Sequence, residues 1–252
     1  MITKEDLVSI ITPTYNSAKF IGETIESVLK QSYENWEMII IDDCSTDNTK
    51  EIIEKYAAID ERIKYYILDK NYGAAIARTK AMELASGKYI AFLDSDDLWY
   101  EDKLEKQISF MKRNSYNFVC TAYEQIDEEG RNLGRVFWPK AKADYNKILL
   151  SCPVGNSTVM YNVEKLGKFS VPNIRKRNDD ALWLQILKKE RYIYGMPEVL
   201  AKYRVRRDSL SSNKVELIKY HWQLYRDIEH LSIFRSVFHI CFWVFLKLLR
   251  IK

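Results

Sequence analysis

Cysteine is scarce in this 252-residue sequence, and its placement excludes several kinds of site. The four cysteines (Cys44, Cys120, Cys152 and Cys241) are widely spaced, and none belongs to a Cys-x-x-Cys pair. Isolated thiols are typical of reduced cytosolic proteins, so we expect neither disulfides nor a cysteine-held zinc. No basic segment followed by an apolar one opens the chain, and we expect no signal peptide.

Histidine and glycine are also sparse. His221, His230 and His239 are nine residues apart, which disfavours a helical zinc site or a Ser-His-Asp triad. The eight glycines form no Gly-x-Gly-x-x-Gly after the first strand and no P-loop. A dinucleotide oxidoreductase and a P-loop ATPase are therefore disfavoured. Without a glycine-rich cradle, a bound diphosphate needs a cation or basic side chains.

The charge-free apolar run near the C-terminus covers only residues 236–246. It is shorter than the ~20 residues that a helix needs to cross a bilayer. From Ala201 onward the chain carries eleven Lys or Arg against four Asp or Glu, although the whole chain is only +4. A basic, aromatic tail suggests an anionic surface, either membrane or nucleic acid. We expect a helix lying at the membrane surface and no nucleic acid. The alternative is a core or dimer helix.

What the sequence does contain is an alternation of apolar runs and amphipathic segments. Strand-like runs lie at residues 7–16, 37–43, 63–68 and 88–97, and helical spacing lies at residues 18–31, 47–58 and 74–85. This order predicts an α/β protein with a mostly parallel sheet flanked by helices.

Polar residues end three of these strands: Thr14-Tyr15, Asp42-Asp43 and Asp94-Ser95-Asp96. The carboxyl ends of parallel strands share one edge of the sheet, and ligands bind outside that edge. We therefore expect all three sets to form a single site.

The segment around Asp94, Asp96 and Asp97 places three carboxylates in four positions. Such crowding is tolerable if one acid caps the next helix and the others share a cation. A cation that also holds a diphosphate would indicate a sugar-nucleotide site. The alternative is an ordinary turn in which Asp97 caps a helix, and the residues alone leave both readings open.

The second half predicts a helix over residues 101–114, a strand over 117–126 and a hairpin into 132–138. Small residues at 151–158 either leave room for an acceptor or form a plain loop. Asp179 and Asp180 begin an amphipathic helix, as caps or as a general base for an acceptor hydroxyl. Arg204 and Arg206 belong to a basic loop at 203–213, which either closes over a diphosphate or faces solvent or membrane.

Four ordered motifs, at residues 8–16, 41–47, 71–78 and 87–97, resemble the family 2 glycosyltransferases of bacteria, which have the GT-A fold. The resemblance covers residues 1–115, and Cys44 stands where the family has glycine. It implies an inverting, metal-dependent enzyme that moves a sugar from a nucleotide-sugar, by family habit a UDP-sugar, to an acceptor hydroxyl. It further implies a place in the synthesis of lipopolysaccharide, capsule or exopolysaccharide.

The resemblance also implies residue roles. Pro13, Thr14 and Tyr15 would line the nucleotide pocket, Asp43 would bind the base, and Arg78 would contact base or phosphate. Asp94, Ser95 and Asp96 match the D-x-D motif, with Asp94 near ribose and metal and Asp96 ligating Mn²⁺ or Mg²⁺. The pair Asn178-Asp179 matches the family's Glu-Asp pair and makes Asp179 the base. Arg204 and Arg206 would belong to the loop that covers the diphosphate.

We accordingly expect a catalytic domain at residues 1–212, with a nucleotide-sugar half (1–115) and an acceptor half (116–212). Residues 213–252 are expected to form a helical, membrane-associated extension. The acceptor is expected to be saccharide or polyprenyl-diphosphate-linked, at the inner face of the cytoplasmic membrane. The competing hypotheses are a nucleotide-sugar-binding module without transfer activity and a nucleotidyltransferase. The latter usually has a glycine-rich basic loop after the first strand.

Overall fold

The computed structural model describes residues 6–206 and 214–248. Its first half alternates strands and helices as the sequence predicts. Strands β1 to β4 are Val8–Thr14, Trp36–Asp42, Ile63–Ile67 and Tyr89–Phe92, and helices α1 to α3 are Ile21–Leu29, Thr49–Ala57 and Ala74–Leu84. The predicted α/β class with a flanked sheet is confirmed.

These four strands pair in parallel in the order β3-β2-β1-β4. β1, β2 and β4 are buried along their whole length, which explains why apolar residues make up most of each strand. In the register, Thr14 lies opposite Asp42, and Ile11 lies opposite Phe92. The polar residues that follow the three strands therefore do share one edge of the sheet.

The second half continues the same sheet with mixed strand directions. Its elements are β5 (Leu98–Trp99), α4 (Lys103–Asn114), β6 (Phe118–Ile126), β7 (Asn132–Phe137), β8 (Lys142–Ala143), α5 (Tyr145–Leu150), β9 (Met160–Asn162), α6 (Val163–Leu166), α7 (Asn178–Leu187) and β10 (Ile193–Arg204). β9 runs antiparallel between β4 and β6, whereas β10 is parallel to β6. The end of β10 consequently returns to the edge that carries Asp94.

Helices cover both faces of the sheet. α1, α2 and α4 pack on one face, and α3, α5 and α7 pack on the other. α7 is fixed beside β4 by Trp183, whose ring meets the ring of Phe92 edge-on at 5.0 Å between centroids. This contact places the start of α7 close to the carboxylates that follow β4.

Two helix starts differ from the sequence prediction. α1 begins at Ile21 rather than residue 18, because the carbonyl of Ser17 accepts the N–H groups of Phe20 and Ile21 in a preceding turn. α4 begins at Lys103 rather than residue 101, after the short strand β5. Asp97 is therefore not the cap of a helix, and that alternative is wrong.

The C-terminal extension consists of α8 (Lys214–Gln223), a π-helical turn over Leu224–Ile228, and α9 (Ile233–Leu248). The Tyr225 hydroxyl donates to the carbonyl of Leu149 at 3.1 Å, which joins the extension to α5. No helix among residues 6–206 and 214–248 is long and apolar enough to cross a bilayer. Part of the predicted basic loop (residues 207–213) and the basic residues Arg250 and Lys252 lie outside the described residues.

Candidate active site

Asp94 lies at the centre of the polar edge, immediately after β4. Its Oδ1 atom accepts hydrogen bonds from Nη2 of Arg78 at 3.0 Å and from Nδ2 of Asn156 at 2.7 Å. Burial raises the pKa of Asp94 to about 6 against the opposing effect of Arg78. Asp96 and Asp179 raise it further. Oδ2 of Asp94 makes no hydrogen bond within the described part of the chain, and this atom is available to a ligand.

The three crowded carboxylates have different environments. Oδ2 of Asp96 lies 3.1 Å from Nη1 of Arg206, and both side chains remain partly exposed. Asp97 is buried and accepts hydrogen bonds from the Ser157 hydroxyl at 2.6 Å and from the backbone N–H of Arg204 at 2.9 Å. Burial, and then the charges of Asp96 and Asp94, raise the pKa of Asp97 well above its ordinary value. Asp97 therefore supports the turn, while Asp94 and Asp96 face the cleft.

Arg204 and Arg206 were predicted to act together, but they have different surroundings. The Arg204 side chain is 0% exposed, and its Nη2 donates to Glu23 at 2.6 Å. Its Nε donates to the backbone carbonyl of Asp96 at 2.8 Å. The structure thus gives Arg204 a role in fixing the peptide of Asp96, and its predicted contact with a diphosphate stays a prediction.

The predicted nucleotide pocket lies at the ends of β1 and β2. Both carboxylate oxygens of Asp43 accept backbone N–H groups, from Tyr72 and from Gly73, at 2.7 Å each. This clamp holds the turn that starts α3 at Gly73, where φ is 92°. Pro13 and Thr14 are buried in β1, whereas the Tyr15 ring is 46% exposed. Tyr15 is thus the residue of the first motif with an exposed aromatic side chain.

Ser95 is buried, and its hydroxyl is 2.8 Å from the hydroxyl of Ser17. The contact joins the loop after β1 to the D-x-D segment. Direct binding of Ser95 to the nucleotide-sugar stays a prediction.

Arg78 connects the D-x-D segment to the start of α7. Its Nη2 contacts Asp94, and its Nη1 donates to Oδ1 of Asn178. The residue after Asn178 is Asp179, which is partly exposed and close enough to Asp94 to raise its pKa. These contacts bring the predicted base close to Asp94, one of the two predicted metal ligands, although the two residues are far apart in the sequence.

The alternative role of the two α7 acids, as helix caps, is wrong. Arg177 occupies the N-cap position in a left-handed conformation (φ 64°), and no side chain caps the helix there. Asp180 is buried and pairs through Oδ2 with Nε of Arg177 at 2.8 Å. Burial raises the pKa of Asp180 to about 6, although Arg177 opposes the shift.

Sequence reasoning missed Asn156, Ser157 and Arg177 as site residues. The small-residue segment at 151–158 was recognised, but only as space. In the structure Asn156 and Ser157 form part of a single 3₁₀ turn that bonds both Asp94 and Asp97. The polar pair within an otherwise small, apolar segment was the available signal.

The described residues contain no cluster of three or more His, Cys, Asp or Glu side chains arranged to hold a metal ion. The donors that do face the cleft are the carboxylates of Asp94 and Asp96. Two hard oxygen ligands fit Mg²⁺ or Mn²⁺ that takes its remaining ligands from a diphosphate and water.

A mixed α/β sheet with a D-x-D segment after its fourth strand and a carboxylate on a neighbouring helix defines the GT-A class of glycosyltransferases. The sequence profile described as "Glycosyl transferase family 2" matches residues 9–171. The chain belongs to this family, and it is a glycosyltransferase.

Two curated relatives cover most of the chain. It is 46% identical to the Bacillus subtilis protein named "Putative teichuronic acid biosynthesis glycosyltransferase TuaG". The matched region of 247 residues covers 98% of this chain and 97% of that relative. It is 42% identical over 222 residues to the Escherichia coli UDP-Glc:alpha-D-GlcNAc-diphosphoundecaprenol beta-1,3-glucosyltransferase WfgD, with 88% and 86% covered.

Two solved structures share the fold. S. aureus TarS 1–349 in complex with UDP-GlcNAc superposes with a TM-score of 0.71 at 23% identity, over 86% of this chain and 65% of that one. The mannosyltransferase PcManGT of Pyrobaculum calidifontis, in complex with GDP-Man and Mn²⁺, gives a TM-score of 0.66 at 18% identity, over 89% and 64%. The chain thus spans slightly less than two thirds of these two structures.

Proposed function

We propose that this enzyme transfers a sugar, with inversion, from a UDP-sugar to an acceptor hydroxyl during synthesis of a bacterial surface polysaccharide. The observation that carries the proposal is the convergence of Asp94, Asp96 and Asp179 on one cleft. The names of TuaG and WfgD support the polysaccharide context and the UDP-sugar.

The donor is proposed to bind along the edge from β2 to β4. Tyr15 presents its ring to the base, while Asp43 keeps the adjacent turn in place through the two N–H groups that it accepts. Pro13 and Thr14 form the floor behind Tyr15. Arg78 and Arg206, which contact Asp94 and Asp96, would offset the charge of the phosphates, and the buried Arg204 positions the Asp96 peptide.

Asp94 and Asp96 are proposed to hold a divalent cation, Mn²⁺ or Mg²⁺. Such an ion, when bound, neutralises the charge that develops on the leaving nucleoside diphosphate. Asn156 and Arg78 fix Oδ1 of Asp94, so its Oδ2 keeps one orientation toward the cleft. Arg206 supplies further positive charge at Asp96.

Asp179 is proposed to be the general base. Its carboxylate takes the proton of the acceptor hydroxyl while the oxygen attacks the anomeric carbon from the face opposite the diphosphate. The bond between that carbon and the diphosphate breaks in the same step, so a single displacement inverts the configuration. Arg78 holds Asn178, and this contact fixes the helix start that carries Asp179.

The acceptor is proposed to be a saccharide linked to a polyprenyl diphosphate at the inner face of the cytoplasmic membrane. The relative WfgD is named for an acceptor of that chemistry. α9 supports a peripheral membrane location, because it exposes Phe234 (89%), Phe238 (60%) and Phe245 (55%) along one face, beside an exposed Arg235. Aromatic side chains flanked by basic residues are typical of helices that lie at a lipid surface.

The substitution Asp179→Asn tests the proposal. We expect transfer from UDP-sugars to fall by about three orders of magnitude or more, because general-base catalysis contributes about 10²–10⁴-fold. UDP affinity measured by calorimetry with Mn²⁺ should stay within about twofold. The neighbour Asp180 is not a suitable control because it is buried, so the exposed Glu164 on α6 serves instead as Glu164→Gln. Persistence of transfer in Asp179→Asn would show that another group takes the proton.

A further inference from the structure

Arg177 is a cation beside the proposed base to which the chemistry above gives no task. It is the residue before α7, and its backbone has φ 64° and ψ 19°, in the left-handed region. Residues other than glycine rarely enter this region, because the side chain comes too close to the following carbonyl oxygen. The conformation turns the chain so that the Arg177 side chain lies beside the first turn of α7.

The guanidinium is held from one side only. Its Nε lies 2.8 Å from Oδ2 of Asp180, whose side chain is 5% exposed, while the Arg177 side chain is 24% exposed. The contact of Nε with Asp180 is an ion pair without the alignment of a hydrogen bond, and the two terminal nitrogens of Arg177 make no hydrogen bond within residues 6–206 and 214–248. An arginine anchored through Nε leaves its two-pronged end for a planar or tetrahedral anion.

Arg177 lies beside both acids of α7 and beside the small-residue segment. The charge of Asp179 raises the pKa of Asp94 and also that of Arg177, so the proposed base is close to both residues. The thiol of Cys152, from the small-residue segment, contacts Asp180. The segment predicted to leave room for the acceptor therefore borders Arg177.

We propose that Arg177 binds the phosphate that is attached to the acceptor sugar. This inference rests on the proposed function, since it takes the acceptor to be a glycosyl diphosphate. One pyranose ring separates the attacking hydroxyl from the anomeric phosphate, and Arg177 precedes the base by two residues. The N-terminus of α7 adds the favourable field of a helix dipole at the same place.

The charges around Arg177 leave room for an anion. Asp180 is the partner of Arg177 through Nε, and Lys176 is engaged by Glu216 of α8 at 2.7 Å. Arg175 is exposed on the same segment and adds positive charge. The proposed phosphate thus meets an arginine end and a helix N-terminus, while the Asp179 carboxylate is the opposing charge beside Arg177.

The test compares two acceptors that differ only in the diphosphate. One is N-acetylglucosaminyl diphosphate carrying a phenoxyalkyl tail, and the other is the phenoxyalkyl N-acetylglucosaminide. Each is titrated by calorimetry into enzyme saturated with UDP and Mn²⁺, and each is assayed for transfer from UDP-glucose. In Arg177→Gln we expect affinity for the diphosphate acceptor to fall at least tenfold, with an equal rise in KM. Affinity for the neutral acceptor should change less than twofold.

Three variants guard the interpretation. Arg177→Lys keeps the charge and should recover part of the lost affinity. Arg177→Gly removes the guanidinium but suits the left-handed backbone. It therefore tests the loss of the guanidinium even if Arg177→Gln does not fold. Arg191→Gln removes an exposed arginine just beyond the far end of α7 and should change nothing.

An equal loss for both acceptors would overturn the inference, because Arg177 would then only support Asp180 and α7. Equal binding of the two acceptors by the unaltered enzyme would overturn it as well. Absence of transfer from every UDP-sugar, with the tenfold binding difference intact, would instead contradict the proposed function and leave the phosphate site standing.

Discussion

At the residue scale, Arg204 and Arg206 show that two cations that look equivalent in the sequence can have different roles in the structure. Arg204 ends β10 and is enclosed, with a Glu23 carboxylate, an Asp96 carbonyl and two further carbonyls as acceptors. Arg206 lies two residues later, beyond the strand, and keeps 30% of its side chain exposed beside Asp96. The sequence contains the charges, but only the sheet decides which one is enclosed.

The Arg206 contact leads to a prediction about metal binding. Without nucleotide, Arg206 and a divalent cation compete for the same Asp96 carboxylate. We expect Arg206→Gln to tighten Mn²⁺ binding to the nucleotide-free protein about 1.5- to fivefold, because an exposed ion pair contributes about 0.2–1 kcal/mol. Electron paramagnetic resonance of free Mn²⁺ measures this affinity directly.

With Mn²⁺ present, the same substitution should weaken UDP binding, since a cation near the diphosphate is lost. The two effects have opposite signs, and a general loss of folding cannot produce both. Weaker Mn²⁺ binding without nucleotide would contradict the assignment of Asp96 as a metal ligand that Arg206 shields.

At the element scale, α4 supports the D-x-D turn from behind through a buried lysine. Lys103 is 0% exposed, donates to Oε1 of Gln107 at 2.6 Å and lies 4.0 Å from the centre of the Trp99 ring. Gln107 and Trp99 donate in turn to the carbonyls of Thr158 and Ser157. Through these carbonyls α4 holds the turn that bonds Asp94 and Asp97.

Lys103 predicts a pH dependence of stability. Burial lowers its pKa from 10.5 to about 7, so between these values the unfolded chain carries a proton that the folded chain lacks. The unfolded state therefore binds more protons, and the free energy of unfolding should rise with pH across this window, by up to about 1.4 kcal/mol per pH unit. Below pH 7 both states are protonated, so the slope should vanish while the cost of burying the charged lysine stays constant.

Urea unfolding at pH 7.5 and pH 9 measures the effect, and Lys103→Met should flatten it. The exposed Lys80 on α3 gives a matched control as Lys80→Met, which should leave the slope unchanged. A slope that survives Lys103→Met would assign the pH dependence to other groups.

Elements of the first half could be predicted well because β1, β2 and β4 are buried on both faces and the helices pack on them through apolar residues. The N-cap of α7 could not be predicted, although the helix start was, because the cap is a left-handed Arg177 that no local pattern marks. The burial of Asp97 could not be predicted either. Its carboxylate is stabilised by hydrogen bonds from Ser157 and Arg204, which lie far along the chain. Short-range rules identify helix caps, whereas these two positions are decided by tertiary contacts.

At the scale of the whole molecule, one sheet edge and one helix start are brought together from five parts of the chain. Parallel pairing made the first three parts predictable. Asn156 and α7 reach the site because β9 pairs antiparallel with β4. This pairing cannot be predicted from the sequence, since β9 has only the three residues 160–162. The candidate site was therefore predictable as a set of acids, but its supporting residues were not.

The C-terminal extension gives a prediction at the same scale. Replacing Phe234, Phe238 and Phe245 by serine should reduce binding to anionic phospholipid vesicles at least tenfold, because about 25 cal/mol is lost per Å² of apolar surface removed from lipid contact. The extension should stay folded, since its buried contacts run through Tyr225 and Trp243. Ile59, which is 83% exposed near the end of α2, provides the control Ile59→Ser.

Vesicle sedimentation measures the loss. Unchanged sedimentation of the triple variant would show that α9 does not lie on lipid, and concentration-dependent self-association of the unaltered enzyme would assign the apolar face to a second copy.

The central claim is that Asp179, facing the Asp94–Asp96 pair across one cleft, drives a single displacement at the anomeric carbon. The most direct measurement is the proton NMR spectrum of the glycoside formed from an α-linked UDP-sugar, recorded before the product can mutarotate or degrade. The account predicts a β-linked product, formed by the unaltered enzyme and lost in Asp179→Asn. An α-linked product would contradict it, because retention requires a different arrangement of the reacting groups.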